Sequence, residues 1–173
     1  GKFYNPIIIT ENLNKYLFQK YGVKNSIAYM YDNEIYFNEF NNISKIELIE
    51  KAALFLKTIE GVKEVFIPQF PNWNIGNSTI GEFVKNSYAL ERSGDIYLHF
   101  DSGWMSKRDY GCSHSTSYSS DTHVPLLWYG DNIEKGETVK YQTITQIAPT
   151  LSLMFNIPLA SGSTINPIND MFK

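Results

Sequence analysis

The stretch Ser26-Ile27-Ala28-Tyr29-Met30-Tyr31-Asp32-Asn33-Glu34-Ile35-Tyr36-Phe37-Asn38 decides how the first half of the chain reads. Two runs of β-formers flank the polar pair Asp32-Asn33, a standard hairpin signal. On its N-terminal side, Pro6-Ile7-Ile8-Ile9 is a short apolar, β-branched run that reads as a strand. Thr10 is placed to cap a helix from about Glu11 to Tyr21, with Leu13, Leu17 and Tyr21 on one face and Gly22 as its left-handed stop. On the C-terminal side, Ser44-Lys45-Ile46-Glu47 has capping-box spacing. The helix it opens runs to about Ile59, with Ile49, Ala52, Ala53, Leu56 and Ile59 as its apolar stripe, and Gly61 closes it. Val62 to Ile67 is a further strand, stopped by Pro68. The order β-α-β-β-α-β is that of a ferredoxin-like unit.

Beyond Pro68 the pattern changes. A loop rich in Pro and Asn leads to a short helix near Gly81–Ser87 and a turn at Arg92-Ser93-Gly94-Asp95. Ile96 to Phe100 alternates, with Ile96, Leu98 and Phe100 on one face and Tyr97 and His99 on the other. Residues 102–120 are polar, rich in Ser and Gly and without periodicity, and read as a long loop of the kind that usually carries function. Val124 to Tyr129 reads as a buried strand, and about Thr145 to Phe155 as a last helix, which tolerates Pro149 only near its first turn. The expected organisation is a ferredoxin-like subdomain over residues 1–70, followed over 71–173 by strands and a helix completing a neighbouring main sheet.

Composition narrows the function classes. A formal charge of −3 offers no basic face, so a nucleic-acid backbone binder is not expected. The lone Cys112 forms no internal disulfide, and no apolar run approaches the ~20 residues that span a bilayer. All three histidines, His99, His114 and His123, fall within one quarter of the chain. His114, Asp121 and His123 sit on or beside the long loop and could converge on zinc, but no helical spacing sets their geometry, and loop histidines are most often solvated. Asp95 and His99 spell Asp-x-x-x-His, yet on a strand they lie ~13 Å apart and cannot chelate one ion. His99 is expected to be half-exposed. Ser113, Ser115, Thr116, Ser117, Ser119 and Ser120 crowd the loop without any nucleophile elbow or phosphate-cradling motif, and nothing basic flanks Cys112 closely.

The segment from Tyr110 to Leu126, ending Ser120-Asp121-Thr122-His123-Val124-Pro125-Leu126, resembles the last metal motif of secreted bacterial alkaline phosphatases, relatives of type I phosphodiesterases and nucleotide pyrophosphatases. The family pattern runs approximately Gly-Thr-x-His-Gly-Ser-x-Tyr-x-Tyr-Asp-Thr-His-Val-Pro-Leu. Arg92-Ser93-Gly94-Asp95-Ile96 and Gly103-Trp104 upstream, and Gly130, Ile133, Gly136, Ile144-Thr145 and Ile147-Ala148-Pro149-Thr150 downstream, match as well. The resemblance is strongest from about Tyr88 to Ile168 and implies an α/β fold, the C-terminal part of an alkaline-phosphatase-like core.

By this resemblance His123 is a zinc ligand, and Asp121, Thr122 and His114 are candidates for the surrounding shell. The family enzyme holds two zinc ions, which activate an attacking Thr or Ser and stabilise the leaving oxygen. Its nucleophile and its Asp-x-x-x-His and Asp-His ligand pairs lie N-terminal to the region matched here. The chain has no Asp-His dipeptide, so the nucleophile and most ligands are expected on a preceding segment against which the chain packs. The chain alone is expected to bind no zinc and to be inactive, while the full-length protein hydrolyses phosphate esters in the periplasm or outside the cell. The sequence departs from the pattern at Cys112 (Thr in the family), Ser115 (Gly) and Ser120 (Tyr). These departures support a rival reading, a non-catalytic interaction domain derived from the family. A third, a self-contained mononuclear zinc enzyme, needs a further ligand close to His114 and His123.

Overall fold

The computed structural model describes residues 2–40, 43–70, 79–107, 114, 116–131 and 133–170. Its contacts divide the chain into two compact units, Gly1–His123 and Val124–Lys173.

The first unit opens with strand β1, Lys2–Tyr4, and passes directly into helix α1, Pro6–Tyr21. The strand expected at Pro6–Ile9 is therefore the first turn of α1. Three local features explain this. Asn5 adopts an extended backbone and its side chain accepts from the Ile7 N–H at 3.0 Å, Pro6 suits the first helical position because it needs no N–H partner, and Thr10 donates back to the Pro6 carbonyl at 2.8 Å instead of capping. β-Branched composition is a weak preference, and here it yields to a cap and to burial of Ile9, Leu13 and Leu17 along one stripe. Gly22 ends the helix at φ 73°, donating to the Phe18 carbonyl, as its sequence position predicts.

Strands β2 (Ile27–Tyr31) and β3 (Glu34–Phe37) form the expected hairpin, with Met30 opposite Ile35 and Tyr31 opposite Glu34. Ser44 caps α2 (Lys45–Leu56) by accepting from the Glu47 N–H. α2 stops three residues short of Ile59, where Thr58 turns its hydroxyl onto the Phe55 carbonyl. Its buried stripe is Leu48, Ile49, Ala52, Ala53 and Leu56. Strand β4 (Val62–Phe66) follows, then α3 (Thr79–Ser87) and β5 (Ile96–Phe100).

The sheet order β2-β3-β5-β4 is the decisive feature of this unit. β5 pairs antiparallel with both β3 and β4, so it takes the position that Pro6–Ile9 would have filled in the expected unit. Residues 96–100 thus belong to this sheet and not to a neighbouring one. A central strand needs cover on both faces, and β5 has it: Ile96, Leu98, His99 and Phe100 are all buried. Asp95, just ahead of β5, locks the sheet by accepting from the Phe37 N–H at 2.8 Å and from Gln69 Nε2 at 2.9 Å, with Lys45 Nζ at 3.2 Å. Its carboxylate is committed to structure, in keeping with the reading that Asp95 and His99 do not share an ion.

The expected long loop contains strand β6 (Trp104–Ser106), which pairs in parallel with β1. Trp104 lies over Gly61, whose φ is +87° and where an added Cβ would sit 2.4 Å from the indole ring. Gly61→Ala is expected to lose about 1–3 kcal/mol from backbone strain alone, with overpacking added. A denaturation midpoint unchanged from the parent protein would contradict the close approach. After β6 come residue 114 and, from Ser119, one helical turn, α4 (Ser119–Thr122).

In the second unit, Val124–Tyr129 forms no strand among the described residues. Val124, Leu126, Leu127 and Tyr129 are exposed, whereas a buried strand was expected. A strand requires a partner edge, and this segment finds none among the described residues. A 3₁₀ turn at Ile144–Gln146 leads into α5 (Ile147–Met154), with Pro149 in the first turn, where it was expected. The buried Thr150 hydroxyl donates to the Gln146 carbonyl at 2.6 Å and accepts from the Ile168 N–H at 2.9 Å, fastening the end of the unit onto the helix. Among the described residues no helix is long and apolar enough to cross a membrane.

Candidate active-site motif and its neighbouring cavity

Asp121, Thr122 and His123 stand on and just after α4. The turn is pinned from within: Asp121 Oδ2 accepts from both the Thr116 N–H (2.9 Å) and the Thr116 hydroxyl (2.7 Å). These two bonds are the main reason its carboxyl titrates below the usual carboxylate range; the nearby His114 and Ser120 act in the same direction. Tyr118, preceding α4, donates its phenol to the Phe100 carbonyl at 3.0 Å, tying the turn to β5. Thr122 donates to the Tyr118 carbonyl, and the His123 N–H donates to the Ser119 carbonyl at 3.0 Å.

The side chain of His123 is different in kind. It is exposed and makes no hydrogen bond or ion pair among the described residues. Its backbone is held by the Ser119 carbonyl, while its imidazole is exposed. Asp121, by contrast, is saturated at one oxygen, which suits a residue that positions its neighbours. Zinc needs three or four protein ligands, and no group of three His, Cys, Asp or Glu able to hold a metal occurs among the described residues. The residues present fit one arm of a zinc site and not the whole of it. The loop departures Cys112 and Ser115, and the candidate nucleophile Ser113, lie outside the described residues; Ser120 is exposed on α4.

His114, Thr116, Ser120 and Asp121 line a cavity of about 540 Å³ against β5, the β2–β3 turn and β6. Thr122 and His123 do not line it. His99 does, and it was misread from sequence: it is 3% exposed, not half-exposed. The cover comes from Tyr118, whose ring centre lies 5.2 Å from the imidazole. Burial holds the His99 imidazole below its ordinary titration range. The available signal was that His99 is the one strongly polar residue in the otherwise apolar and aromatic run Ile96–Phe100, since such a run suits a central strand covered on both faces.

No protein-family model matches the chain. Alkaline phosphatase PafA of Elizabethkingia meningoseptica is 32% identical over 93% of the chain, and the wild-type PafA crystal structure matches 100% of the chain with a TM-score of 0.87 at 28% identity. The chain belongs to the alkaline phosphatase superfamily. A PafA mutant structure gives a TM-score of 0.86, so the mixed α/β architecture is the alkaline-phosphatase-like fold. Alkaline phosphatase PhoV of Synechococcus elongatus is 36% identical over 58% of the chain, and a protein named calcium-transporting ATPase of Myroides odoratus is 27% identical over 99% of it. The chain spans 30% of PafA, 32% of the Myroides protein and 19% of PhoV, about a third of their length at most.

Proposed function

We propose that this alkaline phosphatase segment is the C-terminal part of a zinc-dependent phosphate-ester hydrolase, to which it contributes His123 as a metal ligand. The observation that carries the reading is the contrast within the motif. Asp121 is spent on Thr116, so the turn is rigid, while the His123 imidazole is exposed and unpaired among the described residues. The names of the relatives support the reaction class, because a phosphatase and an ATPase both cleave a bond from oxygen to phosphorus. Coverage of about a third of each longer relative supports a division of labour in which a preceding segment supplies the nucleophile and remaining ligands.

When bound, zinc supplies positive charge that stabilises the oxygen leaving phosphorus. The chain's own part is positional. The Thr116–Asp121 pair holds α4, α4 holds the His123 backbone, and the Tyr118 phenol ties the turn to the sheet. Thr122 and His114 complete the surroundings. The periplasmic or secreted location implied by the resemblance belongs to the same reading.

The 173-residue chain by itself is expected to hydrolyse neither p-nitrophenyl phosphate nor bis-p-nitrophenyl phosphate with added zinc, whereas the full-length protein turns over at least one of them. The reason is ligand count, since one arm cannot hold a catalytic zinc. Turnover by the isolated chain that disappears in His123→Ala would transfer the case to a self-contained mononuclear site.

A further inference from the structure

Two demands meet at His123: the turn that carries it must keep its shape, and it must keep its place on the sheet. Shape is internal. The N–H groups of Asp121 and Thr122 both donate to the Tyr118 carbonyl, at 2.9 and 3.1 Å, the His123 N–H donates to the Ser119 carbonyl, and the Asp121 carboxylate closes on Thr116. All of these bonds lie within residues 116–123, so together they leave the turn free to move as a body. α4 has only four residues, too few for helical bonds alone to stabilise it.

Place comes from Tyr118. Its phenol donates to the Phe100 carbonyl at 3.0 Å, 18 residues back in the chain. Phe100 ends β5, a buried strand flanked by β3 and β4, so the tie is anchored in the middle of the sheet. The other end of the same residue is the carbonyl that gathers the N–H groups of α4. The ring is held separately from the hydroxyl: Lys63 Nζ of β4 stands 5.5 Å from its centre, a contact that needs the ring face and not the O–H. A metal ligand has to lie within about 0.2 Å of its bonding distance. An imidazole on a drifting turn must be brought to rest when the metal binds, and that cost is taken from affinity.

We propose that Tyr118 is a positioning residue for the zinc site: through its phenol bond to Phe100 it sets how tightly the full-length protein holds zinc at His123. The inference rests on the reading of His123 as a zinc ligand and adds a residue that acts on the metal only through the placement of α4.

Competition with a chromophoric zinc chelator, measured on the full-length protein, tests this. Tyr118→Phe removes one oxygen and leaves the ring under Lys63; it is expected to weaken zinc binding by about two- to tenfold, the usual net effect of losing one hydrogen bond. Turnover by this variant is expected to return to the parent level at saturating zinc, because every ligand is still present. Tyr118→Leu removes the ring as well and is expected to weaken zinc further. Tyr36→Phe is the control: it deletes a phenol on β3 that bonds to Glu34 and the Arg92 carbonyl, away from α4, and is expected to leave zinc affinity unchanged. His123→Ala keeps two failures apart. Full zinc content in His123→Ala would remove the ligand reading, and the proposal with it; loss of zinc there beside parent-like affinity in Tyr118→Phe would overturn the proposal alone. A Tyr118→Phe deficit that saturating zinc does not restore, or an equal loss of affinity in Tyr36→Phe, would also overturn it, since either would reduce Tyr118 to a contributor to fold stability.

Discussion

Replacing His123 by Ala in the full-length protein is expected to lower zinc content and phosphatase turnover together, each by at least about 10- to 100-fold. That range is typical of losing a group that merely orients a ligand, so a direct ligand sets it as a floor. The expectation follows from how α4 is built. His123 is exposed and its side chain supports nothing in the first unit, so its removal leaves the fold intact and takes away only the imidazole. Thr116→Val, which deletes the hydroxyl that Asp121 accepts at 2.7 Å, is expected to act in the same direction but less strongly, because the backbone N–H bond at 2.9 Å remains. His99 gives the opposite pattern: truncating a side chain that is 3% exposed lowers thermal stability while leaving zinc stoichiometry alone. Metal analysis of the purified variants separates these outcomes, and a His123→Ala protein with full zinc content would remove His123 from the ligand set.

Leu98→Ala is expected to cost about 2–5 kcal/mol, while Ile8→Ala stays within about 0.5 kcal/mol. Both changes remove aliphatic carbons from a β-branched or γ-branched residue in a run that reads as strand. The difference is position. Leu98 is fully buried in β5 at the centre of the sheet, opposite Val65 of β4, whereas Ile8 points outward from the first turns of α1 and is 53% exposed. Large-to-small changes in a packed core lose transfer energy and leave a cavity, and an exposed side chain does neither. Urea midpoints of the two variants measure the contrast, and comparable losses would contradict both the helical state of Pro6–Ile9 and the central place of β5.

The candidate site was legible to different depths. The Asp121-Thr122-His123 motif could be singled out because several short patterns resembling the family occur in order along the chain. What the motif looks like in space could not, because its rigidity comes from Thr116 bonding across five residues and from Tyr118 reaching the Phe100 carbonyl. The cavity and the burial of His99 were missed for the same reason. Alternation along β5 says which side chains share a face, and says nothing about what covers that face.

The sequence by itself determined the features whose causes lie within a few residues. The Asp32-Asn33 hairpin, the Ser44 cap and buried stripe of α2, the Gly22 stop of α1 and the place of Pro149 all depend on local hydrogen bonds and backbone preferences. Only the tertiary structure decided the state of apolar runs, which local chemistry leaves open. Pro6–Ile9 became helix because Asn5 and Pro6 start one and Ile9 finds a core; Ile96–Phe100 became the central strand because β3 and β4 offer edges on both sides. Val124–Tyr129, with much the same strand-forming character, pairs with nothing among the described residues and stays exposed. A β-strand is completed by hydrogen bonds to another segment, so its existence depends on residues far away in the chain, whereas a capped helix or a tight turn satisfies its own.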